Sequence, residues 1–158
     1  MTNLILALQL VHILGASVLF GTGLGIAFFM WMANRSDEPA TIAATASMVV
    51  IADTVFTAVA VIVQPVSGAL LAWLIGYSLR EPWIITALAL YVVVGLCWLP
   101  VVVIQIKLRD LARAAAQKAA RLPDEYRRLY AIWFALGWPA FIGVLLIFAL
   151  MIWKPSLW

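Results

Sequence analysis

The chain has 158 residues, 66% of them hydrophobic and only 11% charged, with a formal net charge of +3 and a mean hydropathy of +1.10. A soluble domain carries about 25% charged residues, so this excess of apolar surface must face lipid, and the basic balance reports loops beside anionic headgroups, not nucleic acid. The single cysteine, Cys97, excludes an internal disulfide, a CxxC motif and a structural zinc site.

Four apolar runs are predicted to cross the membrane, at 4–33, 45–76, 83–106 and 130–153. Each exceeds the ~20 residues a spanning helix needs. Lipid offers no partner to a free backbone N–H, so each run must be helical. The expected fold is an all-α, integral membrane four-helix bundle, one domain over 1–158. The opening MTNLILAL lacks the basic segment of a signal peptide and reads as retained helix. The turn NRSDEP at 34–39 offers Ser36 or Asp37 as a cap for the second helix, with Pro39 near its first position. SLREP at 78–82 opens the third helix with Pro82 in the same way. The stretch KLRDLARAAAQKAARL continues that helix to about 121. Leu108, Leu111, Ala115, Ala119 and Leu122 line one stripe of it. The stripe reads either as a grip on anionic lipid or a partner, or as part of a solvated extension that enforces topology.

Lys107, Arg109, Arg113, Lys118, Arg121, Arg127 and Arg128 crowd the third connection, and Arg35 lies on the same side; only Arg80 and Lys154 lie opposite. The positive-inside rule then places both termini on the non-cytoplasmic side of a bacterial inner membrane. Trp73, Tyr77, Trp83, Trp153 and Trp158 mark the expected outer interface, and Trp31, Tyr126, Tyr130 and Trp133 the inner one.

Counting depth along the helices at about 1.5 Å per residue puts His12, Gln64 and Ser67 in one layer. Asp53, Thr57, Gln64 and Gly68 share a face of the second helix, which should point into the bundle. Asp53 falls near the inner interface. It is expected either to pair with Lys107, Arg127 or Arg128 and fix helix register, or to relay protons. Pro65, Pro100 and Pro139 interrupt three helices, and kinks of this kind frame cavities. Trp98 and Trp138 lie at equal depth, either as the floor of a pocket below His12 and Gln64 or as gap-fillers at the kinks.

On the first helix, Ser17, Gly21 and Gly25 form a small-xxx-small stripe suited to close helix packing. His12, the sole histidine, lies opposite that stripe and shares its face with Gly23. The first helix is therefore expected to be central in the bundle or shared with a second copy. Three readings of His12 stand side by side. It is a structural residue bonded to Gln64 or to a carbonyl freed by Pro65; an axial ligand to heme b, with Gly23 making room for the macrocycle; or a proton carrier or quinone hydrogen-bonding group.

The segments VHILGASVLFGTGLGIAFFM, QP, LPVVVIQIKLRDLA and WFALGWPAF followed by KP resemble a family of small bacterial integral membrane proteins known only as a domain of unknown function. The first helix, with His12 and Arg35, is also loosely similar to HemJ-type protoporphyrinogen oxidases and CopD-type copper-resistance proteins, which implies heme-linked redox chemistry. The third helix opens PWIITALALY, without the membrane lysine that HemJ-type proteins carry there. Two functions are expected from these residues. One is a heme- or quinone-linked redox protein using His12, with Gln64, Gly23, Trp98 and Trp138 around the ligand. The other is a non-catalytic accessory subunit, scaffold or small-ligand binder. In either case the chain contacts the lipid bilayer, with a homodimer or a membrane-protein partner assembling on the Ser17/Gly21/Gly25 face.

Overall fold

In the computed structural model, which describes residues 1–157, the four apolar runs are helices α1 (Thr2–Arg35), α2 (Pro39–Ala52), α3 (Ala58–Ile75), α4 (Pro82–Gln117) and α5 (Asp124–Trp153). A five-residue π-helical turn, Asp53–Thr57, joins α2 to α3 into one rod. All four rods are long and apolar enough to span a bilayer. The result is an all-α, multi-pass membrane bundle. Both termini share one end, here the terminal end, with the turn at 76–81. The turns at 36–38 and 118–123 form the connection end. Trp158, expected in an interfacial belt, lies outside the described residues.

The helix boundaries have local causes. Pro39 and Pro82 each open a helix at its first turn, where the missing N–H costs nothing. The second rod therefore starts at Pro39, not at 45, and its N-cap is Glu38, without a side-chain cap. Ser36 instead donates to Ala33 O at 2.7 Å and accepts from Glu38 N at 3.3 Å. Asp37 takes the left-handed conformation, φ 53°. α4 ends at Gln117, not near 121: Ala119 turns left-handed, and Ala120 N closes on Ala115 O. Pro123 then caps α5, which starts at Asp124 with Asp124 and Glu125 in its first turn. These carboxylates complement the positive end of the helix, so α5 begins well before the expected 130.

The two halves of the bundle pack differently. Toward the connection end α2 packs on α4 and α1, and α4 on α5. Met30, Ile42, Ala46, Leu108, Ala112 and Tyr126 are sealed there. Leu108 belongs to this core, and Leu111 and Leu122 pack against it, so the α4 stripe is used within the chain. Toward the terminal end α3 packs on α1, and α5 on α4. The two pairs splay apart and leave a cleft of about 900 Å³, lined by α1, α3, α4 and α5. The second rod, not the first, is the most enclosed of the four. The Ser17/Gly21/Gly25 face takes no neighbouring helix: Ser17 bonds back to Ile13 O of its own helix, and a methyl group at Gly21 would meet nothing within 4 Å.

Candidate functional site

The cleft walls are aliphatic and aromatic, and polar groups enter at a few levels. The uppermost is Lys154 at the terminal end. Its Nζ donates to Tyr77 OH at 3.1 Å and lies over the Tyr77 and Trp83 rings.

His12 comes next. Its Nδ1 lies 2.8 Å from Ser67 Oγ. Ser67 Oγ in turn donates to Val63 O at 2.7 Å and contacts Gln64 O at 3.2 Å. A serine hydroxyl has one hydrogen. Placed on an α3 carbonyl, it leaves Ser67 to accept from His12, and the neutral imidazole is then the Nδ1–H tautomer. Nε2 is left with its lone pair, the nitrogen available to a ligand. The ring rests on Gly68, where an added Cβ would lie 3.2 Å from His12 Cε1. Glycine at 68 is what lets α1 and α3 approach closely enough for the His12–Ser67 bond. His12 thus takes Ser67 as its side-chain partner, a residue the sequence placed in its layer, and the Gln64 it was expected to meet contributes through its backbone.

Pro65 has no N–H for the carbonyl one turn back, that of Val61. Tyr91 OH from α4 donates to Val61 O instead. Gln64, beside the proline, packs against Gly15 and lines the cleft, but its Oε1 is buried without a partner. Thr57 Oγ1 is the same: cleft-lining, buried and unpartnered.

The floor is a network around Asp53, which is 5% exposed. Gln105 Nε2 donates to its Oδ2 at 2.7 Å, and Trp98 Nε1 to its Oδ1 at 3.2 Å. Trp133 Nε1 approaches Gln105 Oε1 at 3.5 Å. The expected Asp53–Lys107 ion pair is not formed, nor one with Arg127 or Arg128. Among the described residues the salt bridge found is Arg109–Asp110. The reason is angular: Gln105 lies on the buried face of α4, and Lys107, two residues on, points to the exposed side. Asp53 is held by neutral donors at the start of the π turn, whose Asp53 carbonyl accepts from Ala58 N five residues on. Single π turns are frequent at functional sites.

A family model described as Predicted integral membrane protein (DUF2269) matches residues 6–155. The chain belongs to this family. No match was found among curated proteins or solved structures.

In this family member the cleft brings His12, Gln64, Gly23, Trp98 and Trp138 to one cavity wall system. Trp98 serves the Asp53 network, while Trp138 is 57% exposed and packs edge-on to Phe134. Gly23 opens on empty space, with nothing within 4 Å of an added Cβ. Sequence reasoning missed Tyr91 and Gln105. Tyr91 had a usable signal: a tyrosine placed mid-helix opposite a proline kink needs an acceptor.

Proposed function

We propose that the protein holds a lipophilic, ring-bearing redox molecule of the quinol class in the cleft, with His12 Nε2 as the atom that meets it. The observation that carries this is the His12–Ser67 bond at the cleft wall. With Ser67 accepting from Nδ1–H, Nε2 keeps a lone pair, which suits a hydroxyl that donates a proton. The aromatic lining from Phe20, Trp98 and Phe141 suits a flat ring.

A second reading is heme b on the same nitrogen, favoured by the open space at Gly23. His12 would hold heme iron through Nε2, with Ser67 on its Nδ1 orienting the ring as partners of ligating histidines do. Met151 lines the cleft but lies near the terminal end of α5, above the His12 layer. A sixth protein ligand would have to come from a second copy. Bound there, the iron would supply electron transfer; His12 holds it, and the apolar walls exclude water. The competing class is a non-catalytic ligand-binding or scaffold subunit. A homodimer on the open Ser17/Gly21/Gly25 face, and termini outside the cytoplasm, belong to the same proposal, supported by the vacant helix face and the lysine and arginine distribution.

The test is purification in mild detergent from quinone- and heme-replete cells. The expected result is co-purified quinone that is lost in His12→Ala. A Soret band lost in His12→Ala would establish heme instead. A colourless, quinone-free preparation would overturn both redox readings and leave the non-catalytic class.

A further inference from the structure

The polar groups below His12 are not scattered. On the second rod Ser67, Gln64, Val61, Thr57 and Asp53 follow at intervals of three, three, four and four residues, which keeps them on one face. Each step is about 4.5–6 Å along the axis. Every one of these levels presents polar atoms. Ser67 carries His12. Gln64 presents a buried, unpartnered Oε1. Val61 carries the Tyr91 hydroxyl on its carbonyl. Thr57, 6% exposed, presents an unpartnered Oγ1, and Asp53 ends the series. His12, Gln64, Tyr91, Thr57 and Asp53 all line the cleft.

Buried polar atoms without protein partners are commonly satisfied by ordered water. Three of the buried side-chain atoms among the described residues lack a partner, and two of them, Gln64 Oε1 and Thr57 Oγ1, stand in this column between the imidazole and the carboxylate. Steps of about 4.5–6 Å are close to the span that one water bridges with two hydrogen bonds of about 2.8 Å.

We propose that this face is a hydrated proton path leading from His12 to Asp53, with Asp53 as its terminal proton-binding site. A proton taken up at His12 Nε2 leaves from the same nitrogen to the next water, moves along waters that Gln64 Oε1, the Tyr91 oxygen and Thr57 Oγ1 hold in place, and neutralises the Asp53 carboxylate. No electron moves, and no covalent bond other than those to hydrogen changes. The path is closed beyond Asp53, because Met30, Ile42, Ala46 and Leu108 seal the next layers. Access is therefore from the cleft alone, and the chain is not a proton leak.

The other ionisable groups near Asp53 are few. α4 contributes Tyr91 and Cys97. α5 contributes Tyr130, stacked on Trp133. α1 has none between His12 and Arg35, and Lys107 is exposed. The path is built from the chain's own residues, so it does not require a particular occupant of the cleft.

The test is infrared difference spectroscopy of the full chain in nanodiscs of zwitterionic lipid, without added ligand. An acid-minus-alkaline spectrum is expected to show a carboxylic C=O band that is absent in Asp53→Asn and shifts on transfer to D2O. In the double variant Gln64→Leu/Thr57→Val that shift is expected to slow about tenfold or more. Gln64→Asn/Thr57→Ser keeps a polar atom at each level and is expected to exchange at nearly the wild-type rate, which separates the path from mere misfolding. An Asp53-dependent band absent at every pH where the protein stays folded would overturn the proposal. So would exchange unaffected in the Leu/Val variant. None of these readouts involves quinone or heme, so the proposal and the reading of the His12 ligand fail independently.

Discussion

Tyr91 donates its hydroxyl to the carbonyl of Val61, the acceptor that Pro65 leaves without its helical partner. One α4 side chain thereby repairs the break in α3 and ties together the two helix pairs that flank the cleft. Tyr91→Phe should strand that carbonyl and cost about 1–3 kcal/mol. Pro65→Ala restores an N–H at position 65, so the same Tyr91→Phe change should cost less in that background. A double-mutant cycle by unfolding titration in mixed micelles measures the difference. Equal costs in both backgrounds would show that the hydroxyl is not satisfying the Pro65 gap.

The His12–Ser67 bond makes a spectroscopic prediction that the sequence allows to be read cleanly, because the chain has one histidine. With 15N-labelled histidine, wild type should show one imidazole with Nδ1 protonated and Nε2 bare. Ser67→Ala removes the acceptor and should move the population toward the Nε2–H form that free imidazole favours. Gly68→Ala should act differently. Its methyl group meets Cε1 at 3.2 Å, so it should displace the ring by tenths of an ångström and broaden or shift the signals while Ser67 remains. A wild-type spectrum dominated by Nε2–H would refute the assignment on which the ligand reading rests.

Asp53 and Lys107 should separate sharply under mutation. Asp53→Asn turns one acceptor of Gln105 or Trp98 into a facing donor, and Gln105→Leu leaves the carboxylate short of its nearest partner. Each should cost about 1–3 kcal/mol or more. Lys107→Ala removes an exposed side chain with no bond to Asp53 and should leave the unfolding midpoint unchanged. A Lys107 variant as damaging as Asp53→Asn would restore the ion pair that the structure lacks.

How far the sequence could be read follows from these residues. The four spans were legible because run length against bilayer thickness is a strong constraint, and the proline-led starts at Pro39 and Pro82 needed only local chemistry. The shared layer of His12 and Ser67, and the common face of Asp53, Thr57 and Gln64, followed from rise and periodicity alone. What failed was azimuth between helices. Depth placed Lys107 near Asp53, but two residues of rotation put Gln105 inward and Lys107 outward. The π turn at Asp53–Thr57 and the splay of α1/α3 from α4/α5 have no signature in composition. Hydropathy alone starts the second and fourth runs at 45 and 130, short of the helix starts at Pro39 and Asp124; Pro39 was still legible as a turn signal, whereas the start at Asp124 lies in a polar but packed layer, where tertiary contact supports turns that hydropathy does not.

The splay also implies that α4 and α5 are held to each other more tightly than to the rest of the terminal half. Gly143 marks the tightest point of that pair. A Cβ there would lie 2.6 Å from Val94 Cγ2, and a β-branched side chain in a helix has almost no alternative rotamer to retreat to. Gly143→Ala should therefore cost about 1–3 kcal/mol, despite alanine's better helix propensity. Val94→Ala in the same chain should relieve most of that cost. Gly95 and Gly137, with nothing within 4 Å of an added Cβ, should accept alanine with no loss and a small gain. Unfolding titrations of the three alanine variants decide it: similar midpoints for all three would mean that α4 and α5 do not meet at Gly143, and the cleft would lose its rigid wall.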